Sequence, residues 1–165
     1  MYNNVYNGKT VLVTGHTGFK GSWLSIWLTM LGAKVVGYSL EPYSERGNFE
    51  ACHLHDRLYA DIRGDVRDFE KLNETIKTHK PEIIFHLAAQ ALVRTAYQHP
   101  RETYETNIMG ALLYQALVEH VEHLQERAAG AHVIEVIVDE LSFLFGTTLT
   151  PNFQIYADCM FHFDM

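Results

Sequence analysis

Cysteine is almost missing from this 165-residue chain. Cys52 and Cys159 are the only two, they lie far apart, and no Cys-x-x-Cys pair occurs. That argues against a disulfide framework or a zinc ribbon and makes a cytoplasmic home the expectation. Basic charge is also short, with 13 Lys and Arg against 20 Asp and Glu and a net charge of −7. A nucleic-acid footprint needs a basic face, so no nucleic-acid partner is expected. A phosphate-bearing small ligand stays open, because backbone donors can bind it. No apolar run approaches ~18 residues, so no membrane span is expected. Residues 1–8 are polar and lack the apolar core of a signal peptide. No repeat, linker or low-complexity segment stands out. What remains is an ordinary globular composition, 47% apolar and 20% charged, in a chain long enough for one domain with a real core.

The most informative stretch is residues 9–21, Lys-Thr-Val-Leu-Val-Thr-Gly-His-Thr-Gly-Phe-Lys-Gly. Val11-Leu12-Val13 reads as a buried strand. It stops at Gly15, and Gly18 and Gly21 follow at three-residue steps. A helical apolar pattern comes next: Trp23, Leu24, Ile26, Trp27, Leu28 and Leu31. Strand, glycine turn and helix in that order make a phosphate cradle. Glycine lets the backbone approach a pyrophosphate, and the helix start aims N–H groups and a positive dipole end at it. Trp23 and Trp27, at helical spacing, are expected in the core or in helix–sheet packing.

Further along, Gly32 reads as the stop of that helix, and a second strand lies in residues 33–40. A polar, irregular loop over 43–57 holds at most a short helix. A third strand is expected over 58–62, a helix over 68–79 with Phe69, Leu72 and Ile76 on one face, and a fourth strand over 83–87. A long helix over 103–128 and a fifth strand over 133–138 complete the pattern. Strands alternating with helices predict right-handed crossovers and an α/β fold, a Rossmann-type parallel sheet with helices on both faces. Gly15, Glu41, Asp65 and Ala88 to Gln90 all fall at strand carboxyl ends, where such sheets bind ligands.

Taken together, Lys9 to Leu24, Val36 to Leu40 (Val-Gly-Tyr-Ser-Leu), Gly64 to Asp68 (Gly-Asp-Val-Arg-Asp), Phe85 to Gln90 (Phe-His-Leu-Ala-Ala-Gln), Leu92 to Arg94 and Thr103 to Asn107 resemble the nucleotide-sugar 4,6-dehydratases of the extended short-chain dehydrogenase/reductase family. The likeness is greatest to members acting on CDP-glucose, and it covers about residues 8–115. It implies the N-terminal part of that fold, with NAD lying across the sheet as cofactor. Carry-over puts the pyrophosphate on Gly15, Thr17, Gly18, Phe19 and Gly21. It sets Asp65 and Val66 against the adenine, with the Asp65 carboxylate accepting from its amino group. Ala88, Ala89 and Gln90 would flank the ribose and nicotinamide side, and Asn107 would support the cofactor-side helix. Glu41 stands where a ribose-binding acid is expected, although a solvated loop charge is an equal reading. Asp65 reads alternatively as a helix cap or turn residue. No obvious 2′-phosphate clamp is seen, which favours NAD over NADP.

The family reaction is an internal redox cycle in which water is lost between the two hydride transfers, and a tyrosine of a Tyr-x-x-x-Lys motif removes the proton of the sugar 4-hydroxyl. That motif occurs nowhere in this chain. Tyr156 is followed four residues on by Met160. Asp139 and Glu140, after the fifth strand, are placed like the acid–base pair of related dehydratases but read more simply as loop charges. Catalytic residues are therefore unassigned, with Tyr156, Asp139 and Glu140 as candidates by position. Residues 1–140 are expected to form the NAD-binding domain. Residues 141–165 are expected to be an atypical, Phe-rich tail, a diverged end, a frameshifted end or a replacement, with the sugar-nucleotide-binding domain missing. The expected function is the NAD-binding part of a CDP-glucose 4,6-dehydratase, inactive as this chain alone, with a nucleotide sugar as partner and a homo-oligomer left open. The alternatives are a non-catalytic dinucleotide-binding or interaction module, or another extended-family sugar epimerase or reductase. No metal is expected. His120 and His123 read as a solvated helix face, His53 and His55 lack further ligands in the sequence around them, and His86 reads as a hydrogen-bonded core histidine.

Overall fold

The computed structural model describes residues 4–110 and 134–137. Five strands form one sheet, β1 (Thr10–Thr14), β2 (Lys34–Ser39), β3 (Ala60–Arg63), β4 (Ile83–His86) and β5 (Ile134–Ile137). All pairs are parallel and the order is β3-β2-β1-β4-β5. The chain therefore winds outward from β1 to β3, then crosses back to place β4 on the other side of β1. That reversal is the switch point at which open α/β sheets leave a crevice beyond their carboxyl ends.

The strands are apolar on both faces because both faces are covered. Alternate residues of β1 point to opposite sides. Val11 and Val13 pack with Val35, Ile83, Phe85 and Leu28 of helix α1 (Phe19–Met30). Leu12 packs with Val36, Tyr38, Val66 and Ile84, and with Leu72 and Ile76 of helix α3 (Phe69–His79). The predicted loop before β3 contains a short helix α2 (Asn48–Ala51) and a 3-10 turn (Leu54–Asp56). Helix α3 starts where the sequence pattern put it, with the Asp68 side chain accepting from the Lys71 N–H at 3.1 Å. The third and fifth strands are shifted by one or two residues at their ends from the expected bounds. A helix α4 (Val93–Gln98), not foreseen, precedes α5 (Pro100–Tyr104), which runs into a π-helical turn (Glu105–Met109). The rest of the predicted long helix, residues 111–128, lies outside the described residues.

One expectation is corrected. Trp23 and Trp27 are not core residues: they are 52% and 38% exposed. The inward face of α1 is instead Gly21, Ser22, Ser25 and Leu28. The helix start lies so close to the first strand's loop that a Cβ on Gly21 would overlap the Gly15 carbonyl oxygen. Only small side chains fit there, so the bulky ones turn outward.

Candidate cofactor site

Gly15 begins the loop with φ +72°, a conformation that favours glycine. A Cβ at Gly15 would lie 2.8 Å from the Leu87 carbonyl and the Ala88 nitrogen. The loop is thus pressed against the segment that leaves β4. Gly18 differs. Its backbone is extended (φ −73°, ψ 169°), and a Cβ there would meet only the Gly15 carbonyl oxygen, at 3.3 Å. Gly15 and Gly21 make the loop tight, while Gly18 keeps its outer side open. Gly18 is also the N-cap of the twelve-residue α1, and no side chain caps that end. The N-terminal end of a helix dipole therefore faces the crevice, fitting an anionic pyrophosphate. Phe19 is 75% exposed beside it.

Two threonines tie this loop down. The Thr17 hydroxyl bonds the Ser39 hydroxyl at 2.8 Å and donates to the Leu40 carbonyl at 3.1 Å, fastening the loop to the end of β2. Thr14, the last residue of β1 before Gly15, belongs to the motif that carries the family resemblance. Its Oγ1 accepts from the Leu87 and Ala88 N–H groups at 3.1 and 3.3 Å, and lies 2.8 Å from His86 Nδ1. With both lone pairs so used, the hydroxyl proton goes to Nδ1, which must be unprotonated. His86 is the buried, hydrogen-bonded histidine the sequence predicts. Burial pushes its pKa down to about 4.

The residues expected beside the adenine are placed as follows. Asp65 is engaged by Arg67, which donates from its backbone N–H at 2.9 Å and from Nη2 at 2.6 Å. These bonds from Arg67, opposed by burial, hold the Asp65 carboxyl below its usual range. Val66 is buried in the core, so its side chain supports the site from below. Tyr38 lies beneath this corner, donating to the Asp65 carbonyl at 3.0 Å. Burial, and then the Asp68 and Asp65 carboxylates, raise its pKa to about 12, which removes it as a base. Glu41 is mostly solvent-exposed and pairs with Arg63, its Oε2 3.1 Å from Nε. Arg63 was missed from the sequence. Its only signal there is a basic residue closing the Asp-Ile-Arg strand.

On the other side of the crevice, Ala88 packs against the core and Ala89 is exposed. Gln90 is held by Asn107: Gln90 N–H donates to Asn107 Oδ1 at 2.7 Å, and Asn107 Nδ2 donates to the Gln90 carbonyl at 3.1 Å. The structure therefore brings Gly15, Thr17, Gly18, Gly21, Asp65, Ala88, Gln90 and Asn107 around one edge of the sheet. Asp139, Glu140 and Tyr156 lie outside the described residues, as do His120 and His123. Elsewhere, His53 and His55 do have a third possible ligand nearby, contrary to expectation. Asp56 joins them with donor atoms within 4.8 Å of one another, all exposed. His55 Nε2 and Asp56 Oδ1 lie 3.3 Å apart, both at the surface, an ordinary contact between neighbouring exposed side chains. Among the described residues, no helix is long and apolar enough to cross a membrane.

A parallel sheet with a glycine cradle at its switch point defines a Rossmann-type dinucleotide-binding fold. Residues 12–136 match the model of the family described as GDP-mannose 4,6 dehydratase, and the chain belongs to that family. It is 52% identical over 122 residues to the CDP-glucose 4,6-dehydratase of Salmonella typhimurium, covering 74% of this chain and 34% of that protein. Among solved structures, it resembles the UDP-glucose 4-epimerase of Thermus thermophilus in complex with NAD (TM-score 0.56, 29% identity, 66% of this chain and 33% of that one). It also resembles the Thermotoga maritima UDP-glucose 4-epimerase with UDP-glucose (TM-score 0.58, 29% identity, 66% and 33%). The chain spans about a third of the length of these relatives.

Proposed function

We propose that this chain is the NAD-binding part of a nucleotide-sugar 4,6-dehydratase that acts on CDP-glucose in the cytoplasm, with residues 1–140 as its cofactor domain. The observation that carries the cofactor reading is the division of labour among three glycines. Two are closed in by backbone, and the third lies open at the uncapped start of α1. That leaves room for a pyrophosphate and supplies N–H groups to hold it. The CDP-glucose reading rests on the Salmonella relative. When bound, NAD supplies the acceptor and donor of hydride. The chain's own residues bind and orient it: the glycine loop takes the pyrophosphate, Asp65 with Arg67 borders the adenine, and Asn107 keeps the Ala88–Gln90 backbone in place beside the nicotinamide half.

Thermal melting with and without NAD tests the cofactor reading. Ligand at ~100 times its dissociation constant stabilises by roughly 2.7 kcal/mol, which moves the melt upward. A folded sample that shows no shift overturns it. Turnover is a separate matter. A tyrosine without a helping lysine keeps a pKa of about 10, so on the order of one in a thousand is ionised at pH 7, a penalty of roughly 4 kcal/mol. The chain has no Tyr-x-x-x-Lys. We therefore expect NAD binding without conversion of CDP-glucose, followed by the alkaline absorbance of the 4-keto-6-deoxy product. Robust conversion would assign the chemistry to Tyr156, Asp139 and Glu140. The epimerase relatives keep a second reading, a sugar 4-epimerase. It would be favoured if UDP-glucose, rather than CDP-glucose, altered the melt of the NAD-loaded chain.

A further inference from the structure

Beside the glycine loop, a cluster of interacting groups gathers around Arg63 at the end of β3. Ser39 is the register partner of Arg63, and Ser39 is the residue to which Thr17 of the loop is bonded. The Arg63 guanidinium is engaged on three nitrogens. Nη1 and Nη2 fork onto the Asp61 carboxylate at 2.6 and 3.1 Å, and Nε donates to Glu41 at 3.1 Å. Its face lies over the Phe49 ring, 5.0 Å from the centroid. Asp61 also receives His16 Nε2 at 2.8 Å, and His16 is fully buried.

In dinucleotide-binding folds, an acidic residue in this region accepts from the ribose 2′-hydroxyl of NAD, whereas an arginine nearby accommodates the 2′-phosphate of NADP. Here both residue types are present and they are bonded to each other. We infer that the Glu41–Arg63–Asp61 chain of charges is a cofactor-selectivity device, in which Glu41 withholds Arg63 from a 2′-phosphate and so turns the site toward NAD. The inference rests on the dinucleotide reading above and adds the residue that sets the choice.

The charges support this assignment. One guanidinium against two carboxylates leaves the group at −1 while His16 is neutral, and a 2′-phosphate would add two further negative charges in the same place. The two carboxylates are not equivalent. Asp61 is 19% exposed and holds both Arg63 and His16, so it is built into the fold. Glu41 is 78% exposed and makes the single bond to Nε. Glu41 is therefore the removable member. Replacing it with glutamine keeps its size, takes away one negative charge and frees the outer edge of the guanidinium.

The test is isothermal titration of the full chain with NAD and with NADP, in phosphate-free buffer, for the parent, Glu41→Gln and Glu41→Gln/Arg63→Met. The parent is expected to bind NAD more tightly than NADP. Glu41→Gln is expected to bind NADP at least tenfold more tightly than the parent does. The gain should shrink as salt is raised and disappear in the double variant. Circular dichroism shows whether each variant is folded. The inference is overturned if NADP binding does not improve in folded Glu41→Gln while NAD binding weakens, since Glu41 would then act on the ribose hydroxyls directly. It is equally overturned if the parent binds NADP as well as NAD. If the folded parent binds neither, the failure lies one level lower, in the dinucleotide reading itself, and this inference goes with it.

Discussion

Asn107 and the Gln90 backbone hold each other through two hydrogen bonds, 2.7 and 3.1 Å long, that join the π-helical turn after α5 to the segment leaving β4. A π turn shifts the side chains that follow it relative to a regular helix, and such turns are frequent at functional sites. Asn107→Ala leaves one backbone donor and one acceptor without their protein partner. We expect a loss of about 1–3 kcal/mol in urea unfolding, together with weaker NAD binding by calorimetry. Unchanged stability would mean that water replaces the side chain at no cost.

The three loop glycines should respond differently to alanine. At Gly21 a methyl group overlaps the Gly15 carbonyl oxygen, and at Gly15 it meets backbone at 2.8 Å in a positive-φ conformation. Each is expected to cost on the order of 1–3 kcal/mol or more. At Gly18 the backbone is extended and the space is open, so Gly18→Ala should cost about 1 kcal/mol or less. Gly18→Val should likewise fold and yet fail to bind NAD, because its side chain fills the pyrophosphate space. A folded Gly18→Val that bound NAD like the parent would move the phosphate elsewhere.

Acid should destabilise the protein well before its carboxylates titrate. Burial lowers the His86 pKa to about 4 and also lowers that of His16, where the Asp61 hydrogen bond opposes it only in part. Above pH 6.5 both histidines are neutral whether folded or unfolded. Below it, the unfolded chain takes up protons that the folded chain refuses, so stability falls as pH drops from 6.5 toward 4. For His86 alone the loss amounts to about 3 kcal/mol. Melting temperatures measured every half unit should trace that decline, and His86→Gln should flatten it. A flat profile in the parent would contradict the buried neutral state.

Asp68 caps α3 through the Lys71 N–H. Asp68→Ala should cost about 1 kcal/mol, and Asp68→Asn much less, in chemical denaturation. Equal losses for the two would show that charge at the helix start, rather than the hydrogen bond, is what matters.

Much of this was legible in the residues. The largely apolar stretches 11–13, 34–39 and 83–86 became parallel strands, because a strand covered on both faces is mostly apolar along its length. Glycine at 15, 18 and 21 between a strand and a helix located the cradle. Asp68 before Phe69, with Leu72 and Ile76 beyond, located α3. The π turn was not legible, and neither was the pairing of Asn107 within it with the Gln90 backbone, a partner seventeen residues away.

The sequence by itself determined the order of the five strands and the place of the glycine loop, since both follow from local patterns of apolar and glycine residues. Tertiary structure alone decided which face of α1 turns inward. Periodicity marked Trp23 and Trp27 as core, but the buried face is Gly21, Ser22, Ser25 and Leu28, with Gly21 pressed against the Gly15 carbonyl. It also decided that Glu41 and Arg63, twenty-two residues apart, would meet. Each reads alone as a surface charge. Only the parallel pairing of β2 with β3 sets Arg63 beside Ser39 and within reach of Glu41, because strand register is fixed by the whole sheet and not by either strand.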